Sequence, residues 1–465
     1  MRIFLAPVSN AALTRMYMTS STRSVAVIGA GPAGLVAAKT LLSHTSTAFR
    51  VTIFEQHDKV GGMWALSQDT QDTQDTEAAN ETLEGAWQPR CSPQMLTNLS
   101  RFTVAFSDLG WDKTELGLES HPAPMFPPAW QVGRYADAYA RKYIPPGVIR
   151  LQNRVEQVEK LASDTVPKWR LRWRSFADGS TDEETFDYIV VASGFFSSPR
   201  PLELPLPSTA GTDKNVIPCM HSSRVRNVTD LLTDSSPATS GTIVVIGGSI
   251  SGVEVASMLA LQLSDSEWSA APKHRKSGDF TITHITKRPA YVLPRYLRHP
   301  LTPHPAFIPV DLALYELGRR PPGPIKFGLG LTSAERASQT HTFLSEATGG
   351  DKLANGSEEL QHTDKDRAEA PYVAISDSYS GLVREKLIKP IRGTAVAIET
   401  QAGSTSITVE RIGPDGQTEV RSQTPIRALL CSPRLRRLYM SLTWLQLSMP
   451  PDSHLAHPCT IFLKK

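Results

Sequence analysis

The sequence predicts an α/β fold built from two βαβ units, and three observations predict it. An apolar strand, Val25 to Ile28, runs into the turn VIGAGPAG and then a helix-forming stretch, Leu35 to Leu42. A second apolar strand runs into VIGGSISG, 245 to 252, and another helix-forming stretch. Each turn is followed by a return strand, Arg50 to Phe54 in the first unit and Phe280 to Ile285 in the second. Strand, tight glycine turn, helix and parallel strand are the parts of a Rossmann-like dinucleotide-binding domain. The chain is therefore expected to hold two such domains, the second inserted in the first.

The chain has 465 residues, and at about 150 residues per domain that length accommodates both units. Hydrophobic residues make up 40% and charged residues 20%, which excludes wholesale disorder and fibrous repeats. A formal charge of +3 is too balanced to point to nucleic acid or an anionic membrane. The cysteines at 91, 219, 431 and 459 form no CxxC pair and no zinc spacing, so neither disulfide redox chemistry nor structural metal is expected.

No apolar run reaches the roughly 18 residues a membrane-spanning helix needs. Leu438 to Met449, preceded by Arg434, Arg436 and Arg437, could at most lie on a membrane surface, and its flanking prolines favour a buried or disordered tail. The first acidic residue is Glu55, and the leader carries Arg2, Arg15 and Arg23. That composition suits either a disordered extension or an organellar transit peptide. The expected location is cytoplasmic, with mitochondrial as the alternative.

Along the chain, residues 1–23 read as the leader, 24–210 as the first unit, 211–375 as the second, and 376–465 as a return to the first. QDTQDTQDTE, 68 to 77, is a polar repeat with nothing to bury and reads as a loop. Helical periodicity returns at Tyr135 to Tyr143, a hairpin begins at Trp169 to Trp173, and Tyr188 to Ala192 reads as a strand. A proline-rich link, Pro199 to Pro207, marks the boundary. Lys273 to Lys276 reads as a solvated basic loop and 335 to 370 as a polar surface excursion. Gly393 to Glu399 and Ser406 to Arg411 look like paired strands, followed by a GPDG turn.

The first turn, Gly29, Ala30, Gly31, Pro32, Ala33 and Gly34, carries the GxGxxG fingerprint. Gly29 permits the tight turn, Gly31 lets the backbone approach a pyrophosphate, and Gly34 allows close helix packing. Glu55 ends the next strand, where a carboxylate can accept ribose hydroxyls. In the second turn Gly247, Ser249 and Gly252 take the fingerprint positions, and the partner strand ends in Thr286, Lys287 and Arg288 instead of an acid. An acid there would repel a 2′-phosphate, whereas Lys287 or Arg288 could pair with one. The pattern implies FAD on the first unit and NADPH on the second, and hence hydride transfer from nicotinamide to flavin.

Several segments then support a family resemblance. GGMW at 61 to 64 is similar to the motif with which flavin-containing monooxygenases close over the adenosine end of FAD, placing Gly62, Met63 and Trp64 at the cofactor. SPQMLTNLSRFTVAFSDLGW, 92 to 111, resembles that family's segment around its Thr-Asn pair, here Thr97 and Asn98. YIVVASGFFSSP, 188 to 199, resembles its Ala-Thr-Gly strand with Ser193 replacing Thr. HITKRPAYVLPR, 284 to 295, and FIPVDLALYELGRRP, 307 to 321, resemble its NADPH domain, which also implicates Ser251 in the second turn; PYVAISDSYSGLV, 371 to 383, resembles its return toward FAD.

The resemblance implies that FAD, reduced by NADPH, adds O2 to form a C4a-hydroperoxide protected by retained NADP. The terminal oxygen would pass to nitrogen or sulfur of a small-molecule substrate. The same resemblance gives Asn98 the catalytic role of hydrogen bonding near flavin and nicotinamide, since a neutral amide orients without donating a full proton. Baeyer–Villiger oxygenation of a ketone is the enzymatic alternative, and a degenerate, non-catalytic nucleotide-binding member is the other. Two stretches depart from the family pattern. Before His221, Asn215 and Ile217 stand where the family's FxGxxxH linker has Phe and Gly. From Thr424 the chain reads as lacking the family's second apolar strand.

Overall fold

The computed structural model describes residues 22–65, 91–111, 122–161, 168–194, 204, 219–231, 240–268, 280–298, 307–314, 333–348, 356–401, 404–412, 418–425 and 428–431. The leader, the QDT repeat, the basic 273–276 loop, Asn215, Ile217, the GPDG turn, Pro199 to Pro207 apart from Leu204, and the tail beyond Cys431 lie outside the described residues.

The first unit is a parallel four-stranded sheet. Its strands are β1 (Arg23–Ile28), β2 (Phe49–Phe54), β3 (Ile149–Arg150) and, beyond the meander described below, β7 (Tyr188–Val191), in the order β3-β2-β1-β7. β1 lies centrally, with Val27 opposite both Ile53 and Val190. Between β1 and β2 runs α1 (Pro32–Leu42), which starts with proline inside its first turn and buries Gly34, Leu35 and Ala38. Proline suits that position because its missing N–H would have had no helical acceptor.

α2 (Ala129–Tyr143) joins α1 on that face, and Tyr135 and Tyr139 pack with Leu35, Ala38 and Ile53 in one apolar cluster. The opposite face is covered by an antiparallel meander of β4 (Asn153–Leu161), β5 (Lys168–Ser175) and β6 (Thr181–Phe186). Leu171, Trp173 and Phe186 from this meander close over Ala26 and Phe54. Burying both faces explains why β1 reads as a continuous apolar run instead of an alternating one, whereas β7 at the sheet edge leaves Tyr188 and Val191 exposed.

The second unit centres on a seven-stranded sheet. Its members are β8 (Cys219–His221), β9 (Gly241–Ile246), β10 (Phe280–Thr286), β15 (Ile388–Gln401), β16 (Ser404–Ile412), β17 (Thr418–Pro425) and β18 (Ala428–Cys431), ordered β17-β16-β15-β10-β9-β18-β8. β9, β10, β15, β18 and β8 run parallel, while β16 and β17 extend one edge antiparallel. α3 (Ile250–Trp268) presents Val253, Ala256, Leu259, Ala260 and Leu263 to Ile243, Val245 and Ile282. That spacing of three to four residues is one face of a helix.

Smaller elements pack beside this sheet: a parallel pair, β11 (Ala290–Leu293) with β14 (Tyr372–Ile375), and an antiparallel pair, β12 (Tyr296–Arg298) with β13 (Phe307–Pro309). The helices here are α4 (Val310–Ala313), α5 (Ala334–Ala347), α6 (Asp364–Arg367) and α7 (Tyr379–Arg384). No helix among the described residues is long and apolar enough to cross a membrane.

Three sequence expectations change here. The expected excursion at 335 to 370 contains α5, which buries Ala337, His341 and Leu344. Their spacing is helical, but alanine and histidine mask it as polar sequence. The expected lack of a strand after Thr424 is also overturned, because Ala428–Cys431 pairs in parallel with both β9 and β8. Finally, the described strands β15, β16, β17 and β18 belong to the second sheet, so these strands do not return to the first sheet as expected from 376 onward. The reason is that β15 pairs directly with β10, and β16 and β17 follow it by short antiparallel steps.

Candidate nucleotide sites and the segment between them

At the first turn Gly29 has φ +105°, in the region that favours glycine, and α1 is seated so close that a Cβ on Gly34 would collide with the Gly29 carbonyl. Gly31 caps the helix with its backbone alone, and a Cβ there would meet nothing nearer than Gly62 Cα at 3.7 Å. The helix N-terminus is thus uncapped by any side chain and open at the position where a diphosphate oxygen would approach. The expected GGMW motif folds over this turn as Gly61 N donates to the Ala30 carbonyl at 2.9 Å. Gly62, Met63 and Trp64 form the short helical turn that follows.

Glu55 closes the base of the turn. Its Oε2 accepts from Ala30 N at 2.7 Å, and its Oε1 accepts from His57 N at 3.0 Å, with the His57 ring Nδ1 also 3.0 Å away. Burial pushes the carboxyl up, but the hydrogen bonds from the His57 ring, Ala30 N and His57 N outweigh it and hold Glu55 below the usual carboxylate range. A carboxylate has about four lone-pair sites, so acceptor capacity remains for a ribose hydroxyl. The open helix N-terminus and this spare acceptor fit the adenosine diphosphate half of FAD.

The second turn is held from below by an imidazole. His284 on β10 is fully buried, with Nε2 2.8 Å from the Gly247 carbonyl and Nδ1 2.7 Å from the Tyr379 hydroxyl. A carbonyl only accepts, so Nε2 carries the proton and Nδ1 accepts from Tyr379. Burial holds His284 below its ordinary value, against the opposing pull of the Gly247 carbonyl, and so keeps it neutral. A Cβ on Gly252 would collide with the Gly247 carbonyl, the same close seating as at Gly34. The hydroxyls of Ser249 and Ser251 make no hydrogen bond among the described residues.

The two cations expected at the end of β10 have different surroundings. Arg288 donates to Glu369 at 2.7 Å and to the Ala370 carbonyl at 3.2 Å, and its guanidinium lies 4.6 Å from the centre of the Tyr372 ring. Lys287 is exposed and forms no ion pair among the described residues. The donor set therefore fits a 2′-phosphate through Lys287, while Arg288 is already engaged. His221, which ends the altered linker stretch, caps its own short turn, with Nδ1 accepting from Ser223 N at 3.1 Å.

Thr97 and Asn98 sit on an irregular segment that both units touch. Thr97 N donates to Pro127 O at 3.0 Å and Arg101 N to Met125 O at 2.7 Å, both within the first unit. Thr97 is buried with its hydroxyl on Leu99 O, whereas Asn98 is partly buried and its amide has no hydrogen-bond partner among the described residues. From the second unit, Arg295 donates to the carbonyls of Thr97 at 3.1 Å and Leu96 at 3.3 Å. Asp311 accepts from Ser100 Oγ at 2.7 Å and Thr103 Oγ1 at 2.6 Å.

His57, His284, Arg295 and Asp311 were not singled out by the sequence, although His284, Arg295 and Asp311 lie inside segments quoted for the family resemblance. Glu254, on the second turn of α3, was missed as well. Burial raises its carboxyl to about 7 against the attraction of Arg295. Cys91 is a free thiol that burial pushes up to about 12, and Cys219 is also free.

Comparison with known proteins agrees with this geometry. A family model described as pyridine nucleotide-disulphide oxidoreductase matches residues 23–294. The chain is 31% identical over 244 residues to a protein of Arabidopsis thaliana named flavin-containing monooxygenase FMO GS-OX-like 6, covering 52% of this chain and 47% of that one. It is 30% identical over 273 residues to flavin-containing monooxygenase FMO GS-OX-like 9 of the same plant, covering 58% and 55%. The chain thus spans about half the length of the curated relatives it matches. Among solved structures, S-allyl-L-cysteine S-oxygenase from Allium sativum is similar at 26% identity and TM-score 0.41, over 57% of this chain and 52% of that one.

Proposed function

The chain belongs to the pyridine nucleotide-disulphide oxidoreductase family, and from that premise we propose that it is an FAD- and NADPH-dependent monooxygenase of small nitrogen- or sulfur-containing substrates. The observation that carries the reading is the pair of unlike strand ends: a hydrogen-bonded carboxylate, Glu55, below the first turn and an exposed cation, Lys287, beside the second. A carboxylate suits ribose hydroxyls and a cation suits a 2′-phosphate. Relatives named flavin-containing monooxygenases support the same reading. Reduction of a disulfide in the style of this family would need a CxxC redox pair, and the four cysteines form none.

In this reading the open N-terminus of α1 binds the FAD diphosphate and Glu55 binds its ribose. The turn from Gly247 to Gly252 receives NADPH, with Ser249 and Ser251 available as hydroxyl donors and Lys287 paired with the 2′-phosphate. Bound FAD would accept hydride from NADPH and activate O2 for transfer to the substrate. The Asn98 amide orients the reacting groups and, lacking an acidic proton, does not quench the activated oxygen.

The test is to purify the full chain, add FAD, and follow flavin absorbance and NADPH oxidation in air with a small thioether or tertiary amine present. Bleaching faster with NADPH than NADH, with 18O from O2 appearing in the sulfoxide or N-oxide, is the expected result. A chain that takes up no FAD overturns the assignment.

A further inference from the structure

Asn98 lies between two side-chain grips that come from the other unit. On one side Arg295 holds the carbonyls of Leu96 and Thr97; on the other Asp311 holds the hydroxyls of Ser100 and Thr103. The grips belong to one piece of structure, because Val310 N donates to the Arg295 carbonyl at 2.8 Å. That piece is itself fixed: Asp377 accepts from Arg295 N at 2.8 Å and from its guanidinium at 2.7 Å.

Asp311 is an unusual choice for a purely structural contact. It is 2% exposed, and its Oδ1 has no hydrogen-bond partner among the described residues. Burying such a group is unfavourable, and an uncharged residue would fill the same space at lower cost. What the carboxylate adds is one charged oxygen that holds the hydroxyls at both ends of a single turn, closed by Thr103 N donating to Ser100 O at 3.0 Å, with lengths typical of O–H to carboxylate bonds of about 2.5–2.7 Å.

We propose that Arg295 and Asp311 are positioning residues by which the second unit fixes the place of Asn98 on the first. The first unit supplies backbone anchors for the segment through Pro127 and Met125, and the second supplies side chains that set its remaining freedom. Asn98 is therefore correctly placed only while the two units are docked. This rests on the oxygenase reading for its catalytic consequence, but not for its structural one.

The structural test needs no cofactor. Hydrogen–deuterium exchange of the amides from 95 to 104 is compared in the full chain and in Asp311→Ala, Asp311→Asn and Arg295→Lys. Local opening governs such exchange, and the expected result is about tenfold faster exchange in Asp311→Ala, confined to this segment. Asp311→Asn, whose neutral amide oxygen accepts the same hydroxyls more weakly, exchanges at a rate between the parent and Asp311→Ala. Arg295→Lys, a point donor that cannot span two carbonyls, exchanges faster at the Leu96 end.

Unchanged exchange in Asp311→Ala overturns the proposal. If that variant instead exchanges faster everywhere, it has lost its fold, and the Ser100→Ala/Thr103→Val double variant decides, since it removes the same contacts from the first unit. Faster exchange limited to 95 to 104 then supports the proposal, and unchanged exchange overturns it. In the FAD-loaded protein, Asp311→Ala is expected to lower kcat and divert more NADPH to hydrogen peroxide while KM for NADPH stays within about twofold. A protein that binds no FAD would sink the oxygenase reading and leave the exchange result standing.

Discussion

The two glycine-rich turns share a backbone shape and are braced from below by opposite chemistry. Under the first, the Glu55 carboxylate accepts an N–H from Ala30; under the second, the His284 imidazole donates to the carbonyl of Gly247. The difference decides what each brace can do next. Glu55 keeps lone pairs for a ligand, whereas both ring nitrogens of His284 are used, one on Gly247 and one on Tyr379. At the first turn the brace can also recognise the nucleotide. At the second, the proposed reading leaves recognition to the exposed Lys287 and the serines at the helix start.

The strongest way to break this parallel is to add one methyl group to each turn. A Cβ on Gly34 or on Gly252 would collide with the carbonyl of the turn's first glycine. Each alanine substitution is expected to cost about 3 kcal/mol, the upper end of overpacking penalties. Gly34→Ala should lose flavin, while Gly252→Ala should keep flavin and lose NADPH binding. Thermal unfolding with flavin absorbance, together with NADPH titration, separates the two outcomes; loss of both ligands in both variants would show the units to be inseparable.

Next in size is the brace that also recognises ligand. Hydrogen bonds to a charged acceptor are worth about 1.5–3 kcal/mol, so Glu55→Gln should weaken FAD binding by about 10- to 100-fold. Because the carboxyl of Glu55 is held below its ordinary 4.5, its stabilising contribution is present above that pH and is lost as pH falls through the lowered value. FAD affinity of the parent should therefore fall as pH drops below 4.5 through the lowered value, whereas the already weaker binding of the Gln variant should lack that dependence, as measured by flavin fluorescence. Equal FAD affinity in parent and variant would remove Glu55 from the site.

The imidazole brace behaves differently with acid. His284 is held below its ordinary 6.5, so the unfolded chain binds a proton that the folded chain refuses as pH falls below that value. Stability contributed at His284 is complete above pH 6.5 and declines at up to about 1.4 kcal/mol per pH unit below it. His341, also held low by burial, adds to the slope. His284→Gln should flatten the pH dependence of unfolding between about 6.5 and 5, and an unaltered slope would mean the ring is not the group that titrates.

These contrasts also explain what the sequence could show. The first unit was legible because its strand, turn, helix and acid stand within about 30 residues in a pattern each part of which has a physical reason. His284 was not, since a single histidine in FTITHIT reads as an ordinary strand residue until Gly247 and Tyr379 are seen on either side of it. β18 is a four-residue run whose partners, β9 and β8, lie far back in the chain. Arg295 and Asp311 act on a segment about 200 residues earlier, and no local spacing encodes that meeting. Local signals thus located the turns, whereas the contacts that brace and connect them are long-range.

The smallest expected effect sharpens the comparison most at the second turn, because two adjacent cations there have been separated by their partners. Arg288 is held by Glu369, by the Ala370 carbonyl and against the Tyr372 ring. Its loss should therefore lower the stability of the second unit without altering preference between nucleotides. Lys287 has none of these ties, so Lys287→Ala should leave unfolding unchanged and remove about 1 kcal/mol from binding of the 2′-phosphate. That corresponds to a KM for NADPH raised about fivefold, with KM for NADH unmoved. If Arg288→Ala instead produced the loss of NADPH preference, the guanidinium would have to leave Glu369 when the nucleotide binds, and the second turn would share the first turn's device of one residue that both braces the protein and recognises the ligand.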